Sequence, residues 1–225
     1  MNQIIIDNRH KINTACQNCF HALNKYHKAV EAFHEEKRRI SASPYIQAVQ
    51  EQMVSSAAES LAKTAQIQYE EISRNLADIR HAAGAMESLL DVGEALQNAL
   101  SVVKVLGSAM PEETRRRLVE QFKGQYQALV ILKAAYEAVN LPAEHYFNGL
   151  LFSSAGELDE LDNMAYRLVI QPGTDVLAEF KFGSKLEKFV VSLGVDLSPK
   201  YRDVVDISNA MNEQIRVAAG LGAVD

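Results

Sequence analysis

The stretch TACQNCFHALNKYHKAVEAFHEEK, residues 14–37, holds both cysteines of the chain and three of its six histidines. Such a set invites a metal or redox reading, so its periodicity has to be settled first. With Ile12 placed at a d position, apolar residues fall at Ile12, Cys16, Cys19, Leu23, Tyr26, Val30 and Phe33, then Lys37 and Ile40. The steps alternate four and three, the heptad rhythm of one helix packing along another. A first helix from about 8 to 40 follows, and SASP at 41–44 interrupts it. Ser43-Pro44 reads as the cap and first helical residue of a second helix.

That second helix runs through 45–83 with neither Pro nor Gly. At 1.5 Å per residue it spans about 60 Å. Its stripe is Ile46, Val49, Met53, Ala57, Leu61, Thr64, Gln68, Ile72, Leu76, Ile79, Ala83, Met86 and Leu90. The mean step is about 3.67 residues, an eleven-residue rhythm that favours straight or slightly right-handed packing. A helix of this length must pack on the first helix, on a second copy or on a partner. Further on, 87–111 is the most apolar helical segment, ending near Gly107. Pro111-Glu112-Glu113 opens a fourth helix, with the stripe Leu118, Phe122, Tyr126, Leu129, Leu132, Tyr136 and Val139. Acids in its first turn suit the helix dipole.

After Pro142 the pattern changes. The segment 143–163 is turn-rich, with one short helix capped by Ser153 or Ser154. Across Pro172-Gly173, Tyr166, Leu168 and Ile170 alternate, then Val176, Ala178, Phe180 and Phe182. This predicts a β-hairpin over 166–182, with a helix from Thr174 as the rival for 174–193. A closing helix is expected from Ser198-Pro199, with Tyr201, Val204, Ser208, Met211, Ile215 and Ala218 on one face. The expected fold is mainly α: an elongated bundle of coiled-coil-like helices over 1–140, with a smaller α+β module over 141–225.

Composition narrows the chemistry. The 225 residues carry a net charge of −6, with 48% hydrophobic, 23% charged and 7% aromatic residues and five prolines. An acidic chain has no general attraction to nucleic acid or anionic lipid. The basic run Arg115, Arg116, Arg117 follows Glu112 and Glu113 and reads as a paired helix face, with nucleic-acid contact as the weaker reading. The chain shows no leader pattern and no apolar run of about 18 residues, so a cytoplasmic location is expected.

The Cys16-x-x-Cys19 spacing fits zinc and thioredoxin-like motifs, but there is no second cysteine pair and no βαβ context. Two small apolar residues on the seam are the expected role. His27, Glu31 and His34 share one helix face, and Glu31-Ala-Phe-His34 matches the Glu-x-x-His of di-iron bundles; no second copy accompanies it. These three are the nearest approach to a metal set, and no metal, cofactor or catalytic residue is assigned. Glu157, Asp159, Glu160 and Asp162 lack the spacing of a calcium loop and read as the acidic start of a helix. No phosphate-binding or nucleophile motif occurs.

What remains is amphipathic helix surface. The expected function is non-enzymatic association, as a homo-oligomer and with protein partners. Its seam is Ile12, Cys16, Cys19, Leu23, Tyr26, Val30 and Phe33 on the first helix and Ile46, Val49, Met53, Leu61, Ile72, Leu76 and Ile79 on the second. Long helices joined to a compact end resemble, in general style, the scaffolding, assembly and host-factor-binding proteins of phages and mobile elements, which implies work in a host cytoplasm. The rivals are a membrane-active bundle inserting residues 89–106 and a metal-dependent enzyme built on the His27/Glu31/His34 face.

Overall fold

In a computed structural model the chain is helical wherever it has regular structure, with no strand among the described residues: 3–88, 93–142, 144–151, 154–174 and 176–197. The helices are α1 (Gln3–Ser41), α2 (Gln47–Glu87), α3 (Glu94–Leu106), α4 (Glu112–Gln121), α5 (Tyr126–Ala138), α6 (Glu144–Phe147), α7 (Ser154–Ile170) and α8 (Val176–Ser192), with a short 3₁₀ turn at Gly107–Ala109. The expected closing helix, with Tyr201, Val204, Ser208, Met211, Ile215 and Ala218, lies outside the described residues.

The β-hairpin expected over 166–182 is replaced by the end of α7, a turn and the start of α8. The reason is visible in the burial. Tyr166 and Ile170 are 49% and 58% exposed while Leu168 is buried. Their alternation is the i, i+4 outer edge of a helix whose inner stripe is Leu158, Leu161, Ala165 and Leu168. Likewise Ala178, Phe182, Leu186, Phe189 and Val190 form a helical stripe on α8. Pro172-Gly173 does mark a turn, with Gly173 at φ 74°, and it joins two helices.

Among the described residues two compact units result: one draws on 3–15, 77–158 and 187–197, the other on 16–76 and 159–186. α1, α2, α7 and α8 each contribute to both units.

In the first unit α3 packs on α5 and α4 on α6. Their core includes Leu96, Val103, Met110, Val119, Phe122, Leu129, Leu132, Tyr136 and Phe147. The single fourth helix expected from the continuous stripe is broken into α4 and α5 at Gly124. That residue has φ 77°, and a Cβ there would run into the Leu193 carbonyl and the Met86 side chain. Close approach and left-handed backbone both demand glycine. α5 ends at Asn140, which takes φ 53°, tolerable for asparagine, ahead of Leu141-Pro142.

In the second unit α1 and α2 pair within one chain. The Cys19 thiol points at the Ile72 carbonyl at 3.8 Å, and Asn18 Nδ2 donates to Asn75 Oδ1 at 3.1 Å. Asn75 is buried and also donates to the Glu71 carbonyl. A satisfied amide on a seam tends to fix one register of two helices. α2 begins three residues later than Ser43-Pro44 suggested, with Ile46 supplying its first carbonyl acceptor. The Ser43 hydroxyl instead donates to the Ile40 carbonyl and closes α1.

Candidate functional site

α1 presents Tyr26, His27 and His34 toward the end of α7 and the start of α8. Tyr26 belongs to the buried seam; its hydroxyl donates to the Leu168 carbonyl at 3.2 Å and accepts from the Gly173 N–H at 3.0 Å. His34 Nε2 lies 3.1 Å from the Gly173 carbonyl. A carbonyl can only accept, so this ring carries a proton on Nε2. His27 Nδ1 donates to Glu179 Oε2 at 2.8 Å, and its Nε2 faces Glu31 Oε1 at 3.5 Å. Glu179 is 5% exposed, whereas Glu31 is exposed. The Glu179 hydrogen bond raises the His27 pKa above the usual histidine range, against the lowering effect of burial.

The three residues singled out by sequence therefore do not converge. His27 sits between two carboxylates and His34 is occupied by a backbone carbonyl. Among the described residues no group of three His, Cys, Asp or Glu side chains could hold a metal ion. Cys16 and Cys19 are buried and not joined in a disulfide. Burial in apolar surroundings disfavours the thiolate that reactivity requires.

Glu179 escaped the sequence reading. As part of a strand it would point away from Ala178 and Phe180. As part of α8 it shares the stripe of Phe182, Leu186 and Val190, all buried. A carboxylate on the apolar stripe of a helix is the signal that could have found it, because such a group needs a partner.

The other candidate groups are committed locally. Arg115 donates from Nε to the Met110 carbonyl at 2.9 Å and from Nη2 to the Ser108 carbonyl at 3.4 Å. Arg116 pairs with Glu112 and Arg117 with Glu113. Arg116 and Arg117 thus have acids one turn earlier as partners, while both side chains stay exposed. In the acidic stretch Glu160 pairs with Lys185 at 2.6 Å, and Glu87 accepts from the Ser154 N–H at 2.8 Å, an anion at the start of α7. Tyr136 donates its hydroxyl to the Arg115 carbonyl at 3.0 Å, and burial pushes its pKa up to about 12.

The expected association seam divides in two. Ile12, Cys16, Cys19, Leu23, Tyr26 and Val30 are buried, as are Leu61, Ile72, Leu76 and Ile79. Those positions are covered within the chain. Phe33 and Met53 are half-buried. Ile46 and Val49 are 73% and 37% exposed, and Tyr45 beside them is 55% exposed. No residue of α2 between 47 and 60 is buried. Among the described residues no helix is long and apolar enough to cross a membrane, and α3, the described part of the segment expected to insert, has Leu96, Ala99 and Val103 in its unit's core. Comparison with family models, with curated proteins and with solved structures finds no match for this chain.

Proposed function

We propose that the protein is a non-enzymatic helical association factor, of the scaffolding or assembly class, and that the opening turns of α2 are the surface through which it associates with a second copy of itself. One observation carries this reading: Tyr45 and Ile46, just before α2, and Val49 in its first turn are exposed, and no residue from 45 to 60 is buried. The stripe continues through half-buried Met53 and Ala57. Apolar side chains recurring along one face of a helix are the form in which helices recognise helices, and a symmetric pair would bring the same patch of each copy together.

The charge of the stretch is compatible with close approach. Glu51 is bonded to Gln47 on its own helix, and no lysine or arginine lies between 45 and 60. Light scattering coupled to size exclusion on the full chain tests the reading. The expected mass is that of two or more chains, falling to one chain in an Ile46→Ser, Val49→Ser double variant with an unchanged circular dichroism spectrum. A wild-type monomer across the micromolar range would overturn self-association. Rupture of vesicles by the wild type, abolished in the double variant, would assign the same face to lipid instead.

A further inference from the structure

The contacts of Tyr26, His27 and His34 act on one short segment. Between them they bond Leu168 at the end of α7, Gly173 in the turn and Glu179 in the first turn of α8. Gly173 lies close over the seam, where a Cβ would touch Val30 and Leu61 at 3.4 Å each. The turn therefore covers the α1–α2 seam at that point, and three side chains of α1 fasten it there.

We propose that these contacts form a proton-sensitive clasp, which holds the α7–α8 turn over Val30 and Leu61 while His27 carries both ring protons and loosens it when one is lost. Glu179 from α8 and Glu31 from α1 are the charged groups that act on His27. Doubly protonated, the ring donates from Nδ1 to Glu179 and from Nε2 toward Glu31. When the Nε2 proton leaves to solvent, the Nδ1 hydrogen bond persists but the positive charge is gone. The buried Glu179 carboxylate then lacks a facing cation, which is costly in a poorly solvated position. The Nε2 lone pair now faces the Glu31 carboxylate, which is exposed and swings into water. The Tyr26 and His34 contacts with the turn remain, and neither reaches Glu179.

The direction follows from linkage. The His27 pKa is raised in the folded chain above the value near 6.5 of an unperturbed histidine. Its contribution is complete below about 6.5 and is lost as the pH climbs through the raised folded value. The clasp is closed on the acid side of the raised His27 pKa and opens as the pH climbs through it. This inference does not depend on association through α2.

Hydrogen exchange of the full chain at about pH 6 and about pH 8.5, corrected for the intrinsic rate, reads the clasp directly. Protection of the amides at 178–186 is expected to fall about tenfold for each unit by which the folded pKa exceeds 6.5, while Leu129 and Leu132 of α5 keep theirs. In His27→Gln the fall should vanish, because glutamine donates to Glu179 without titrating. Glu179→Gln carries the same expectation should His27→Gln not fold. The clasp is overturned by any of three results: no fall in the wild type, an equal fall in α5, or a fall that survives in both variants.

Discussion

The two long helices α1 and α2 each carry an apolar stripe, and parts of those stripes meet opposite fates. On α1, Cys16, Cys19 and Tyr26 are buried on the seam, the tyrosine hydroxyl bonded to Leu168 and Gly173. Just before the first turn of α2, the more apolar Ile46 stands mostly in solvent. Side-chain hydrophobicity alone would rank them the other way. What separates them is whether another element lies over the face: α1 meets Ile72 of α2 and the α7–α8 turn, while α2 before Leu61 buries nothing. Periodicity states which face of a helix is apolar. It does not state what covers that face.

The largest expected effect sharpens this contrast. Ile72 is fully buried against the Cys19 level of α1. Ile72→Ala should cost about 4 kcal/mol, combining lost transfer energy with a cavity, read as a drop in the urea midpoint at constant m-value. Next comes Gly124→Ala in the other unit. There a left-handed backbone and a blocked Cβ position act together, and a loss of about 3 kcal/mol is expected. A loss under about 0.5 kcal/mol, the range of a neutral surface change, would mean that the break between α4 and α5 needs no glycine.

Tyr26→Phe is the intermediate case. It keeps the ring in the seam and removes one oxygen that both donates to Leu168 and accepts from Gly173. The Gly173 N–H and the Leu168 carbonyl each lose a partner, and about 1–2 kcal/mol should follow. Because the loss is at the turn, hydrogen exchange in 178–186 should accelerate more than exchange in α5.

Much of this architecture was legible in the residues, for a local reason. α1, most of α2, and the start of α4 at Pro111-Glu112 are set by spacing, helix breakers and first-turn charge, all of which lie within a few positions of one another. The failures share a different cause. Leu118 to Val139 reads as one helix unless Gly124 is known to lie under Leu193, almost 70 residues away. Tyr166 to Phe182 alternates like a strand because the exposed edge of a helix also carries large side chains, and only burial separates Tyr166 from Leu168. The clasp was half visible: His27 and His34 stood out, but the partner of His27 is 152 residues downstream, on a segment whose period had been misread. Once α8 is helical, Glu179 falls on its inner stripe and the need for a cation becomes apparent.

The smallest expected effect is the most informative about function. Ile46→Ser, in the monomeric state, falls where the first carbonyl acceptor of α2 sits, and serine caps better than isoleucine, so folding stability should rise by no more than about 1 kcal/mol. Measured at micromolar concentration, the same substitution should lower stability by the mass-action share that a partner copy supplies, since anything binding only the folded state adds to its apparent stability. The comparison therefore has to be made against concentration. If the wild-type melting temperature rises with dilution held constant in buffer and increasing protein, and the Ile46→Ser curve is flat, the exposed face of α2 is covered by a second copy. If both curves are flat, the face is left open by this chain alone, and its exposed isoleucine serves a foreign partner or none. The buried cysteines of α1 offer the matching control: a thiol reagent should react with neither Cys16 nor Cys19 in the folded chain at any concentration, because their cover comes from within.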